Sequence, residues 1–265
     1  MKIWAHTIVH NEEGFIWYAV MSVIDYVDKI IIYDTGSTDR TPHILKEIKK
    51  VYKKKVSIKT CGPVDKYQFS SLRQEMLDRS HCDWIIILDG DEVWWYDSVR
   101  RVEDLINREG TKLNAIAVPF YNVIGDIYHY QEEIAGRYKL LGREGNLQIK
   151  AINRKIPGLH IEQPYGSEGF YDKSGNPVQT LDRVVLLEAP HLHLTFLSRS
   201  HKLKLRAKFK YELGIPFPSN FDYPEVLYLK HPSIVKDPWE NRSMAYILRA
   251  FFETLIKKLK RRIVR

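Results

Sequence analysis

Asp89-Gly90-Asp91-Glu92 places three carboxylates within four residues, directly after the apolar run Trp84-Ile85-Ile86-Ile87-Leu88. Two aspartates one residue apart can present oxygens to a single hard divalent cation, Mn2+ or Mg2+, which keeps its other positions for phosphate oxygens and water. A run of Ile and Leu bounded by polar residues reads as a strand buried on both faces, as in a parallel sheet covered by helices. Ligands of such sheets bind outside the carboxyl ends of the strands. Acids at that point therefore face a crevice, and the pair predicts a metal-bound phosphate. Turn residues flanking Gly90 are the structural alternative.

The elements that must position these acids alternate strand and helix through the first half, which predicts an α/β fold with βαβ units and a mostly parallel sheet. Ile3 to His10 reads as a strand, Asn11 to Tyr26 as a helix, and Lys29 to Asp34 as a second strand. Thr41 before Pro42 suits an N-cap and first turn for a helix reaching Val51. Val56 to Thr60, a helix over Ser70 to Arg79, the strand Trp84 to Leu88, a helix capped by Asp97 and stopped by Gly110, and a strand over Asn114 to Tyr121 follow. The second half is less regular: strands are expected over Asn146 to Asn153 and Val184 to Leu194, and a helix over Arg199 to Leu213. The whole predicts one domain over 1–235, with a nucleotide-binding half at 1–110 and an acceptor half at 111–235, and a basic amphipathic helix over 236–265.

The chain has 265 residues, 44% of them apolar and 28% charged, which suits a soluble globular protein rather than a disordered or membrane-spanning one. The N-terminus enters a strand pattern without a secretory leader, so a cytoplasmic location is expected. Cys61 and Cys82 lack the spacing of a redox pair or zinc site and read as neutral thiols. Of the net charge of +8, six positives come from Lys257, Lys258, Lys260, Arg261, Arg262 and Arg265. The body is nearly neutral, so nucleic-acid binding, which needs a basic face over the folded domain, is not expected.

Taken in order, Asn11-Glu12-Glu13, then Asp34-Thr35-Gly36-Ser37-Thr38-Asp39-Arg40-Thr41, then Phe69-Ser70 before Arg73-Gln74, and finally Asp83-Trp84 with Asp89-Gly90-Asp91-Glu92 resemble the family 2 glycosyltransferases of the GT-A fold. The set covers about the first hundred residues and is similar to the subgroup that includes lipopolysaccharide-core glucosyltransferases. The resemblance implies a nucleoside-diphosphate sugar donor, inversion at the anomeric carbon and a divalent metal on the D-x-D motif. It also implies that Val9, Asn11, Glu12, Glu13, Asp34, Gly36, Ser37, Arg73, Asp89 and Gly90 contact the nucleotide, with Asp34 facing the base, and that Asp89 and Asp91 hold the metal. Gln74 stands where the family has Asn after Arg73.

The family commonly supplies a histidine to the metal from a late segment. His191 and His193 in Pro190-His191-Leu192-His193-Leu194-Thr195 point to the same side of a strand, and His193 is slightly favoured. Arg199 and Lys202, next in the chain, would meet the diphosphate as charge develops there. A single displacement needs a carboxylate base for the acceptor hydroxyl. The family's Glu-Asp pair is absent; His160-Ile161-Glu162 resembles the subgroup's His-Glu pair with one residue inserted, which points to Glu162, with Glu132, Glu133, Glu168 and Asp172 as alternatives.

Each assignment has a structural alternative. Glu12 and Glu13 suit any first helical turn, Asp39 suits a cap, and the histidines suit a sheet. From Trp239 onward, apolar residues at helical spacing end in cations. They read either as a helix on an anionic membrane surface, near a glycan or lipid-linked acceptor, or as a helix packed on the domain with a solvated tail. The Asn-Glu-Glu loop excludes a glycine-rich nucleotidyltransferase loop, and no G-x-x-x-x-G-K-[ST] occurs. A non-catalytic nucleotide-sugar-binding module is the competing function.

Overall fold

The computed structural model describes residues 1–197 and 211–263. Nine strands matter to the site: β1 (Ile3–Val9), β2 (Lys29–Asp34), β3 (Val56–Thr60), β4 (Trp84–Ile87), β5 (Glu92–Trp94), β6 (Ala115–Ile124), β7 (Leu147–Asn153), β8 (Val184–Leu186) and β9 (His191–Phe196). The helices are α1 (Ile16–Val23), α2 (Thr41–Val51), α3 (Lys66–Asp78), α4 (Tyr96–Glu109) and α5 (Met244–Ile263). Strands β3, β2, β1 and β4 are parallel neighbours in that order, and the sheet continues through β7, antiparallel to both β4 and β6.

The apolar runs behave as their sequence requires. Ile30 and Ile32 face one core with Ile16, Val20, Ile44 and Ile48 of α1 and α2, while Ile31 and Tyr33 face the other side with Met76 of α3. Alternate residues of one strand thus feed two helical layers, which is why the run needs no polar face. The chain moves from β1 outward to β3 and then returns to the other side of β1 as β4. The carboxyl ends of β1 and β4 therefore flank the point where strand order reverses, the place where doubly wound sheets open a crevice.

Several boundaries differ from expectation. Helix α1 begins at Ile16 rather than Asn11, because Asn11 adopts φ +57° and the next two residues are held sideways. The amides of Asn11, Glu12 and Glu13 donate to Ser37 Oγ, Thr41 Oγ1 and Asp39 Oδ2, tying the end of β1 to the loop after β2. Thr41 is not the cap of α2: its hydroxyl is engaged by Glu12, and Asp39 Oδ1 accepts from the Thr41 amide instead. Helix α3 starts four residues early, at Lys66, behind a capping box in which Asp65 and Gln68 bond each other's amides. The long strand expected over Val184 to Leu194 is two strands, β8 and β9, both parallel to β6.

The C-terminal helix begins at Met244, not 236. The Asp237-Pro238 turn precedes it, and Trp239 packs into the body against Tyr128, Tyr223 and Tyr228. The expected helix over Arg199 to Leu213 falls almost entirely outside the described residues, as do Arg199 and Lys202 themselves.

Candidate active site

A cleft of about 1290 Å³ opens at the carboxyl ends of β1 and β4. Its walls include Ile8 to Glu12 at the end of β1, Ile87 and Asp89 to Asp91 at the end of β4, Arg73 of α3, Lys150 of β7, and His193 of β9. Gly90 is required where the two strand ends meet: a Cβ there would lie 2.9 Å from Val9 Cγ1 and 3.1 Å from Glu12 Cγ. Gly36 is likewise committed, with φ +83° and a hypothetical Cβ 2.8 Å from the Pro63 nitrogen.

The acids of the Asp-Gly-Asp-Glu turn diverge. Asp91 is buried and its Oδ1 lies 3.7 Å from His193 Nε2. Antiparallel pairing of β5 with β9 sets that proximity, since His193 stands opposite Glu92 and the Leu194 amide donates to the Asp91 carbonyl. Asp89 turns the other way. Its Oδ2 accepts a hydrogen bond from Lys150 Nζ at 3.3 Å, and the same ammonium lies 2.6 Å from Glu92 Oε1.

Lys150 and Glu92 form a buried ion pair, with side chains 3% and 0% exposed. The register of β7 against β6 slips at Lys150, so this residue is the extra one in a bulge and its side chain is re-aimed beneath the turn. Burial works against the charged form of Glu92, yet the Lys150 ammonium with His191 holds its carboxyl well below the usual range. Burial likewise opposes the Lys150 charge, but Asp89 and Glu92 keep its ammonium above the usual value. Sequence reasoning gave Lys150 no role and set Glu92 among the acids of the crevice, whereas it is fully buried beneath the turn. The available signal was a lysine inside the otherwise apolar Ile149-Lys150-Ala151-Ile152, which burial forces to find an anion.

His191 does not share the open face of His193. It is fully buried, stacked between Trp94 at 4.7 Å and Phe120 at 5.6 Å, with Nε2 3.3 Å from Glu92 Oε1. Burial lowers its pKa, so it stands as a neutral ring in the core. Two residues apart, the histidines share a side of β9, but His191 is fully buried and His193 is 17% exposed.

At the far end of the cleft, Arg73 is buried and its guanidinium lies 5.4 Å from the Phe69 ring. Its Nε and Nη1 have no hydrogen-bond partner among the described residues. A guanidinium so placed in a cleft wall is chemically suited to an anion. Val9, Asn11 and Glu12 also line this space, whereas Glu13, Asp34, Gly36 and Ser37 stand behind it. Glu13 accepts from the Arg40 amide and reaches Lys236, and Asp34 Oδ1 accepts from the Ser37 amide. The wall beside Asp34 is Thr35. The loop between β2 and α2 has backbone amides to satisfy, and these side chains do it.

Of the five carboxylates expected as candidate bases, Glu168 alone lines the cleft. Glu162 is paired with His160 Nε2 at 2.8 Å on the hairpin formed by His160–Glu162 and Gly169–Tyr171. Glu132 lies 3.0 Å from Lys258 Nζ, Glu133 sits in the single turn Glu133–Ala135, and Asp172 binds the amides of Ser174 and Asn176. Glu168 also holds part of its own turn, its Oε2 accepting from the Gly166 amide, so what separates it from the other four is its place in the cleft wall.

Residues 5–164 match the sequence pattern of glycosyl transferase family 2. The chain belongs to glycosyl transferase family 2. Among solved structures, this family 2 chain is similar to TarS 1–349 of S. aureus in complex with UDP-GlcNAc, with TM-score 0.51 and 13% identity over 76% of this chain and 60% of that one. It is also similar to glucosyl-3-phosphoglycerate synthase of Mycobacterium tuberculosis, solved with Mn2+, UDP and phosphoglyceric acid, at TM-score 0.46 and 16% identity over 72% of this chain and 70% of that one. A TPR repeat-containing protein of Synechococcus elongatus is 35% identical over 85 residues, which are 32% of this chain and 19% of that protein. The chain thus spans about a fifth of that relative and three fifths of the TarS chain. At 13% identity the likeness to TarS establishes a shared fold, the GT-A type expected from the motif set.

Proposed function

We propose that this family 2 chain is an inverting, metal-dependent glycosyltransferase that moves a sugar from a nucleoside-diphosphate sugar to a hydroxyl of a glycan or lipid-linked acceptor. The observation that carries the reading is convergence: the Asp91–His193 pair and the unsatisfied Arg73 guanidinium border one cleft at the carboxyl ends of β1 and β4. The complex of TarS with UDP-GlcNAc supports the donor class.

The donor set of this cleft fits a divalent ion. Neighbouring ligands of an octahedral Mg2+ or Mn2+ stand about 3 Å apart, and the 3.7 Å between Asp91 Oδ1 and His193 Nε2 is close to that. Among the described residues no three His, Cys, Asp or Glu side chains are gathered as a complete cage. An ion held by one carboxylate and one imidazole completes its shell with diphosphate oxygens and water. When bound, it supplies neutralisation of the charge that develops on the leaving diphosphate.

The remaining work belongs to the chain. Asp89 does not act as an open ligand in this reading; Lys150 holds it, and together they set the height of the turn that presents Asp91. Asn11, Glu12 and Thr35 form the nucleoside end of the cleft, with Asp34 supporting Thr35 from behind. Arg73 donates to a donor oxygen there, and Arg199 and Lys202, which follow Leu197 of the cleft wall in sequence, meet the diphosphate. Glu168 takes the proton from the acceptor hydroxyl. A positioned carboxylate contributes about 10² to 10⁴ in rate, so Glu168→Gln is expected to lower kcat at least about 100-fold with donor KM unchanged, and Glu162→Gln to leave kcat near the native value. The reverse pattern would reassign the base to the hairpin.

A thermal-shift series with UDP, GDP and their sugars, with Mn2+ or with chelator, tests the donor site. A ligand at a hundredfold excess over its Kd stabilises by about 2.7 kcal/mol, roughly 5–10 °C for a chain of this size. Arg73→Met should weaken the nucleoside diphosphate about 10- to 100-fold, as expected for a charge-assisted hydrogen bond, without lowering the melting temperature of the free protein. Unchanged affinity in that variant would remove Arg73 from the donor site. Metal-dependent binding without turnover over many acceptors would favour the binding module.

A further inference from the structure

Helix α5 presents two unlike faces. The inner one carries Tyr246, Ala250, Thr254, Lys257 and Arg261, spaced one helical turn apart and docked on the domain. Thr254 Oγ1 accepts from the Leu213 amide, Lys257 donates to the Tyr211 carbonyl, and Arg261 binds both oxygens of buried Glu212 at 2.6 and 2.9 Å. The outer face carries Leu248, Phe251, Phe252, Leu255 and Leu259, each 51–65% exposed. Leaving that many large apolar side chains in water on one stripe is costly and marks an interaction surface.

The margins of the stripe identify what covers it. Arg249 and Lys260 border one edge and Lys258 the other, with Arg249 and Lys258 side chains 60% and 49% exposed. The single acid of α5, Glu253, is already held by Arg249 and Lys257. A second copy of the same face would bring cations against cations. No helix among the described residues is long and apolar enough to cross a membrane, so this one would lie flat. We propose that the outer face of α5 docks the enzyme on an anionic lipid surface, apolar residues inserted between headgroups and Arg249, Lys258 and Lys260 beside phosphates.

The docking also orients the cleft. Lys258 is bound to Glu132 at 3.0 Å, Glu132 leads into the turn Glu133–Ala135, and Tyr138 to Leu140 just beyond line the cleft. A helix lying on the bilayer would therefore hold that wall of the cleft near lipid headgroups, where a lipid-linked acceptor is presented. Only this last step rests on the transferase reading.

Co-sedimentation of the full chain, free of nucleotide, with vesicles of phosphatidylcholine alone or mixed with phosphatidylglycerol tests the contact. Binding to the anionic vesicles only, weakened by salt, is expected. The double substitution Phe252→Ser, Leu255→Ser, at exposed positions, should reduce partitioning at least about tenfold. The nucleotide-induced thermal shift of the same variant should stay native, so failure of the docking and failure of the donor site are separate results. Equal binding to both vesicle types, partitioning unaffected by the substitutions, or a dimer in sedimentation velocity that the substitutions disperse would each overturn the proposal.

Discussion

Asp91→Ala is expected to abolish the metal-dependent part of nucleoside-diphosphate affinity and to lower transfer by about 10³-fold or more. The magnitude follows from the several kcal/mol that a bound cation contributes to a developing anion, at 1.36 kcal/mol per tenfold in rate. In the proposed donor pair Asp91 is the carboxylate, and its loss leaves the His193 imidazole. The fold should survive, because the contact that joins this turn to β9 is made by the Asp91 carbonyl, which alanine keeps. Titration calorimetry with Mn2+ and with chelator reads the outcome. A variant that still distinguishes the two conditions would show that the ion is held elsewhere.

Lys150→Met is expected to cost about 3–5 kcal/mol of stability, the usual consequence of stranding one member of a buried ion pair. Glu92 would keep its place under the turn with the Asp89 amide and the buried, neutral His191 as its remaining partners. The pH dependence gives the sign. In the native protein Glu92 titrates well below its ordinary value of 4.5, so its contribution is present above that pH and is lost on acidification below it. Lys150 titrates above its ordinary 10.5, so its contribution is present below that pH and is lost only in stronger alkali. Without Lys150, burial becomes the dominant influence and raises the Glu92 pKa. The sign then reverses: the variant should gain stability as pH falls from 7 toward 4.5, where the native protein does not. Urea denaturation at pH 7 and pH 5 measures this. Parallel profiles for the two proteins would mean that the pair does not stabilise the turn.

These two residues differ in how they could be found. Asp91 ends a local pattern, an apolar strand meeting acids, and periodicity with composition suffices to place it at a crevice. Lys150 becomes important only because a one-residue slip between β7 and β6 aims it inward. A bulge arises from pairing with a strand thirty residues away, and a sequence window holds no trace of it. The choice among carboxylates has the same character. His160 beside Glu162 in the sequence favours that residue, but the histidine occupies its oxygen, while Glu168, in the turn that joins the two strands of the same hairpin, lines the cleft.

The sequence by itself determined the α/β class, the order of the first four strands and the clustering of polar residues at their carboxyl ends, because strands buried on both faces write continuous apolar runs. It also marked the apolar stripe and basic end of the last helix, since helical spacing is visible in any window. Only the tertiary structure decided that His193 rather than His191 meets Asp91, that Asp89 belongs to Lys150, that Asp34 and Glu13 hold loops, and that the stripe of α5 faces outward. Those outcomes depend on register and burial between residues distant in the chain, and such contacts form only once the whole sheet has closed.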